Sequence, residues 1–149
     1  MPVIVLLVAI VPFVCLGLGA VSAEAGIASR AMLALVDYAA LVLTFSSAVH
    51  WVMGTGITTS RPAVRFAASL LGFVIAWAAL LAAQWVGGPV APAMLIFGYL
   101  VTTLTEHREA RRSPISVRYL WLRWGISGMA AVTLALVLLM HGIGLTAVF

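Results

Sequence analysis

Long apolar runs separated by short polar breaks define the elements of this chain. The runs cover Pro2–Val21, Ala31–Trp51, Phe66–Val86, Val90–Leu104 and Tyr119–Leu145. A helix needs about 20 apolar residues to cross the hydrocarbon of a bilayer. The fourth run is near the lower limit and is expected to extend into Thr105 and Glu106. The fifth is longer than a span needs and should tilt or protrude. In every run the apolar residues cover all helical faces, as in helices exposed to lipid. The strict alternation of a membrane-barrel strand is absent. The pattern predicts an all-α fold, an integral membrane bundle of five transmembrane helices in one domain. The helices are expected at about residues 2–21, 31–51, 66–86, 90–106 and 119–145.

Local signals refine this frame. Gly19–Ala23 resembles a signal-peptidase site, but no basic residue precedes the first run, so the run reads as a retained helix. Pro12 lies mid-run and should kink it. Gly87-Gly88-Pro89 breaks the chain between the third and fourth runs.

Composition agrees with the pattern. The chain is 64% apolar and 8% charged, against about 45–50% and about 25% in a soluble domain. Mean hydropathy is +1.21. A soluble enzyme, a disordered segment and a nucleic-acid-binding domain are excluded, although the isoelectric point is near 10.2. The single cysteine, Cys15, cannot form an intrachain disulfide and reads as a packing residue.

Charge reports topology. All 8 basic residues are Arg. Five spans would place Arg61, Arg65, Arg108, Arg111, Arg112 and Arg118 on the side of the N-terminus, with Arg123 just inside the fifth helix. The opposite side carries only Arg30. The positive-inside rule then makes the N-terminus cytoplasmic and the C-terminus periplasmic, in a bacterial inner membrane. Trp51, Trp121 and Trp124 fall near the inner interface and Trp85 near the outer one, as an aromatic belt requires. Trp77 is the exception, near mid-bilayer, where its indole N–H needs a partner.

Motifs of soluble catalysis are absent. The 3 histidines and lone cysteine show no metal-ligand spacing. No Gly-x-Ser-x-Gly elbow occurs, and no catalytic residue is assigned. What carries chemistry is polar residues at membrane depth. Asp37 falls in the outer third of the second run, roughly 9 Å inside its end at ~1.5 Å per residue. It reads first as an interfacial carboxylate, with a proton-relay or ligand role as the alternative. His141 reads as an interfacial residue at the outer end of the fifth run.

The inner ends converge on one depth. Ser46, Ser47, His50 and Trp51 end the second helix, Glu106 and His107 end the fourth, and Tyr119 and Arg123 begin the fifth. An acid, an Arg and a His at one level could form a ligand pocket for a quinone, a haem edge or a lipid anion. Alternatively they form a structural clasp, with Glu106 pairing Arg123. Arg108, Arg111 and Arg112 read as contacts to lipid phosphate.

These residues carry a resemblance. Phe45-Ser46-Ser47-Ala48-Val49-His50-Trp51 resembles the Phe-x-Gly-Gly-x-His-Trp-Gly signature of a membrane-protein family, that of domain of unknown function 3429, which is similar to transmembrane protein 69. Pro12-Phe13, Tyr38, Trp77, Phe97-Gly98-Tyr99 and Glu106 follow in the family's order. Tyr119-Leu120-Trp121-Leu122-Arg123, with Ser127 after it, resembles its Trp-Tyr-Leu-x-Leu-Arg-x-x-Leu-Thr. The likeness spans about residues 11–137. Ser47, Ala48 and Val52 depart from the signature's glycines, and the proline expected early in helix 3 is missing. The resemblance implies the helical architecture and the His50/Arg123 region, and no reaction.

The leading functional reading is a non-enzymatic accessory, scaffold or assembly protein. Its partners would be the lipid bilayer and a membrane-protein complex or a second copy of itself. A small-molecule site at the cytoplasmic end of the bundle is the alternative, and a small oligomeric transporter is a third. The sequence specifies no cofactor.

Overall fold

A computed structural model describes residues 2–22, 24–54, 62–110 and 117–143. The described chain forms α1 (Pro2–Ala20), α2 (Ala25–Gly54), α3 (Pro62–Trp85), α4 (Val90–Ala110) and α5 (Val117–Gly142). Three stretches are long and apolar enough to cross a membrane by length and composition: Ala25–Val49, Ala63–Trp85 and Arg118–Gly142. Val8–Ala20 is a shorter apolar helix. The segments holding Arg61, Arg111 and Arg112, and the end of the fifth run at Leu145, lie outside the described residues.

Several helices extend beyond the apolar runs, α3 for example starting at Pro62. Residues 25–30, polar enough to read as a loop, are the first turns of α2. Their polar groups serve the helix start: Ser22 Oγ accepts from the Glu24 N–H at 3.3 Å, and the Glu24 carbonyl accepts from the Ala28 N–H at 2.9 Å. Ser29 Oγ donates to the Ala25 carbonyl at 2.6 Å. The Ser22 contact serves an N–H at the helix start, where such groups are left open, and the Ser29 contact is a back-bond to the carbonyl four residues earlier. Likewise α4 continues past the apolar run through Glu106 and His107 to Ala110. Gly87 and Gly88 adopt φ of 66° and 62°, the left-handed region that glycine enters without strain, and so reverse the chain between α3 and α4.

The helices form a closed ring of sequence neighbours. α2 packs most extensively on α3, α1 meets α5 to close the ring, and α2 also touches α4 across it. Directions follow from particular pairs. Phe13 packs edge-on against Tyr38, with ring centroids 4.9 Å apart, and Tyr38 Oη donates to the Ala9 carbonyl at 3.0 Å, while Gly19 further along α1 faces Ala31 earlier on α2, so α1 and α2 run antiparallel. Tyr99 Oη donates to the Ala39 carbonyl at 2.8 Å, tying α4 to α2.

Small residues set the spacing. Ala39, Ala40, Ala76, Ala79, Ala91 and Ala130 are buried. In lipid there is no hydrophobic drive between helices, so close packing and interhelical hydrogen bonds must hold them together. Gly72 illustrates the fit: a Cβ there would run into the Ser47 side chain and meet Thr102 Cγ2 at 3.3 Å. Ser47 of α2, Gly72 of α3 and Thr102 of α4 therefore share one level.

Candidate functional site

The polar residues concentrate where α2 and α4 finish and α3 and α5 start, here called the clasp end. Glu106 and Arg123 meet there. Arg123 Nε donates to Glu106 Oε1 at 2.6 Å, and the two side chains are only 1% and 4% exposed. The pair sits inside the bundle because Glu106 continues the inward stripe of Leu95, Tyr99 and Thr102 on α4. Arg123 continues that of Ser127, Ala130 and Leu134 on α5. These spacings of three and four residues put each set on one helical face.

The next residues along both helices pair as well. His107 packs at a tilt against Trp124, with centroids 5.4 Å apart, and Trp124 packs against Trp121 at 6.4 Å. The α4/α5 seam is thus closed inside by an ion pair and outside by rings. On the α2/α3 seam Trp51 packs edge-on against Phe66 at 4.9 Å.

Around the clasp lie hydrogen-bonding groups with no hydrogen-bond partner among the described residues. They include Arg123 Nη1 and Nη2, the Tyr119 hydroxyl, Ser127 Oγ and Ser47 Oγ. Tyr119, Arg123 and Ser127 are four residues apart and form one stripe of α5. Ser46 is buried beside Ser47 on α2. The His50 side chain lies outside the described residues.

A groove of about 490 Å³ runs between α1, α2 and α5 at this end, with Tyr38, Ser46, Tyr119 and Arg123 in an otherwise apolar wall. Arg123 therefore both pairs with Glu106 inside the bundle and contributes to the wall of this groove.

Two other candidates lie elsewhere. His141 is half-buried near the far end of α5. Asp37 is exposed on α2. Because α2 begins at Ala25, Asp37 stands twelve residues from each end of the apolar span Ala25–Val49, not near one end of it.

Sequence reasoning overlooked Arg65. Assigned to a loop as a topology signal, it is 6% exposed on α3, and its Nε has no hydrogen-bond partner among the described residues. The signal was present: Arg65, Ser69, Gly72, Ala76 and Ala79 recur at helical spacing and form one buried stripe. Thr102 was also overlooked; it is buried and donates to the Gly98 carbonyl at 2.9 Å. Among the described residues no group of three or more His, Cys, Asp or Glu is arranged to hold a metal ion.

One family covers the helices that build the clasp end. The model of the family described as "Protein of unknown function (DUF3429)" matches residues 1–139. No curated protein and no solved structure matches the chain. A match over nearly the full length, across all the elements that build the clasp, makes this chain a member of the DUF3429 family.

Proposed function

We propose that the chain is a non-enzymatic accessory protein of the bacterial inner membrane that holds a partner's basic transmembrane helix against α2. All five helices would lie in the bilayer, with the N-terminus cytoplasmic and the C-terminus periplasmic. The Arg distribution supports this orientation.

The observation that carries the reading is the exposed carboxylate of Asp37 at the midpoint of an apolar span. At ~1.5 Å per residue it lies roughly 18 Å from either end of that span. Its register with α1 sets a shallower limit, still inside the hydrocarbon. The neighbouring Tyr38 packs on Phe13, which is seven residues, or roughly 10 Å, before the end of α1. Ionisable residues at such depth normally face a bundle interior or a partner, because hydrocarbon cannot solvate them. Asp37 has no ion pair or hydrogen bond among the described residues, and it faces outward.

Charge decides the partner. A two-fold dimer about the membrane normal brings identical residues together at one depth. That would oppose Asp37 to itself in a low dielectric, where like charges repel strongly. A helix with Arg or Lys at the same depth removes the penalty. Further along the same face, Thr44, Ala48, Ser69 and Phe73 border a shallow depression of about 290 Å³ between α2 and α3. Thr44, Ala48 and Ser69 are small enough to admit a close helix approach, with Trp51, Leu70 and Phe73 as the larger walls.

A polyleucine spanning peptide with one Arg near mid-span provides the test. It is labelled for energy transfer and reconstituted with the labelled full-length chain. The Arg peptide should associate, while its all-Leu counterpart and the Asp37→Asn chain should not. Equal transfer from both peptides, or self-association of the chain through this face, would overturn the reading.

A further inference from the structure

We infer that the groove between α1, α2 and α5 binds a lipid-soluble quinone, with Arg123 donating to a ring carbonyl. The groove is a different surface from the docking face. Its volume of about 490 Å³ falls within the ~300–1,000 Å³ common to small-molecule sites. Its wall is apolar and it opens on the side of the bundle, so an occupant must partition into hydrocarbon.

The polar exceptions specify the head group. Arg123 lines the groove, is 4% exposed, and has both Nη atoms without a hydrogen-bond partner among the described residues. The Tyr119 hydroxyl, also in the wall, is in the same condition. Ser46 supplies a third hydroxyl, whereas that of Tyr38 is already committed to Ala9. A guanidinium has only donors to offer, so the site calls for an acceptor.

Charge then selects among acceptors. Glu106 already neutralises Arg123 through the 2.6 Å contact. A phosphate or carboxylate on the same guanidinium would stand beside the Glu106 carboxylate, and like charges repel strongly in a low dielectric. A neutral carbonyl uses the same donors without adding charge. Depth agrees: Arg123 is five residues beyond Arg118, where the apolar span of α5 begins, or roughly 7 Å at ~1.5 Å per residue. That places it below lipid phosphates. The rings of Tyr38, Phe45 and Tyr119 in the wall suit a planar head.

The experiment uses the full-length chain in phosphatidylcholine nanodiscs, titrated with decyl-benzoquinone and read by quenching of tryptophan emission. Saturable quenching is expected. Ile126→Phe narrows the groove without touching the clasp and should weaken binding about tenfold or more at an unchanged unfolding temperature. The paired change Glu106→Leu with Arg123→Met should weaken it similarly, because neither new side chain can donate a hydrogen bond. Quenching that rises without saturation, or equal affinity in Ile126→Phe, would overturn the inference. So would displacement of the quinone by added phosphatidylglycerol, which would assign the groove to an anionic lipid.

Discussion

Arg123 and Glu106 stand or fall together. A buried ion pair adds little net stability, because desolvating two charges offsets their attraction, yet removing one partner is costly. Arg123→Ala should therefore destabilise the chain by about 3–5 kcal/mol. Detergent unfolding curves and membrane abundance should both show the loss. Glu106→Gln with Arg123→Gln should recover much of it, since no buried charge is then left without its counterion. A single mutant as stable as the parent would show that water reaches the pair. The meeting of these residues was legible in the sequence because both lie where apolar runs end, at one depth. Arg65 was not legible as a buried residue. Hydropathy alone does not say that the helix starts at Pro62, which turns Arg65 onto the stripe of Ser69 and Gly72.

Between elements, the closest fit is Ser47 against Gly72. Gly72→Ala places a methyl group where the Ser47 side chain sits. Overpacking of this kind costs about 1–3 kcal/mol. The penalty should shrink in a Ser47→Gly background, and a double-mutant cycle of unfolding free energies measures the difference. Additive effects would mean that α2 and α3 separate to admit the methyl group. Ring closure is checked separately. Leu18 of α1 and Val132 of α5 line the same groove, so cysteines at both positions in a Cys15→Ser background should be joined by a short bis-maleimide. Leu18 and Leu81 of α3 should not. The sequence indicated helix number and order because each run is uniformly apolar. For the same reason it could not say which faces meet, since a helix apolar all round has no inward stripe to read. It also misplaced the start of α2, where polar side chains bonded to their own backbone read as a loop.

At the scale of the whole molecule, orientation and docking are linked, because depth and sidedness decide which partner helix can reach Asp37. A phosphatase reporter fused after Phe149 should be active through export, and one inserted between Thr105 and Arg118 should be inactive. The reverse pattern would invert the proposed orientation. The docking claim itself is tested most directly by exchanging charges in the reconstituted peptide system. In the Asp37→Arg chain, the Arg-bearing peptide should lose its association and a matched Asp-bearing peptide should gain it, giving energy transfer close to that of the parent pair. If the Arg peptide still binds the Asp37→Arg chain, or the Asp peptide fails to bind a chain that is folded and inserted, Asp37 is not the docking charge and the accessory reading fails with it.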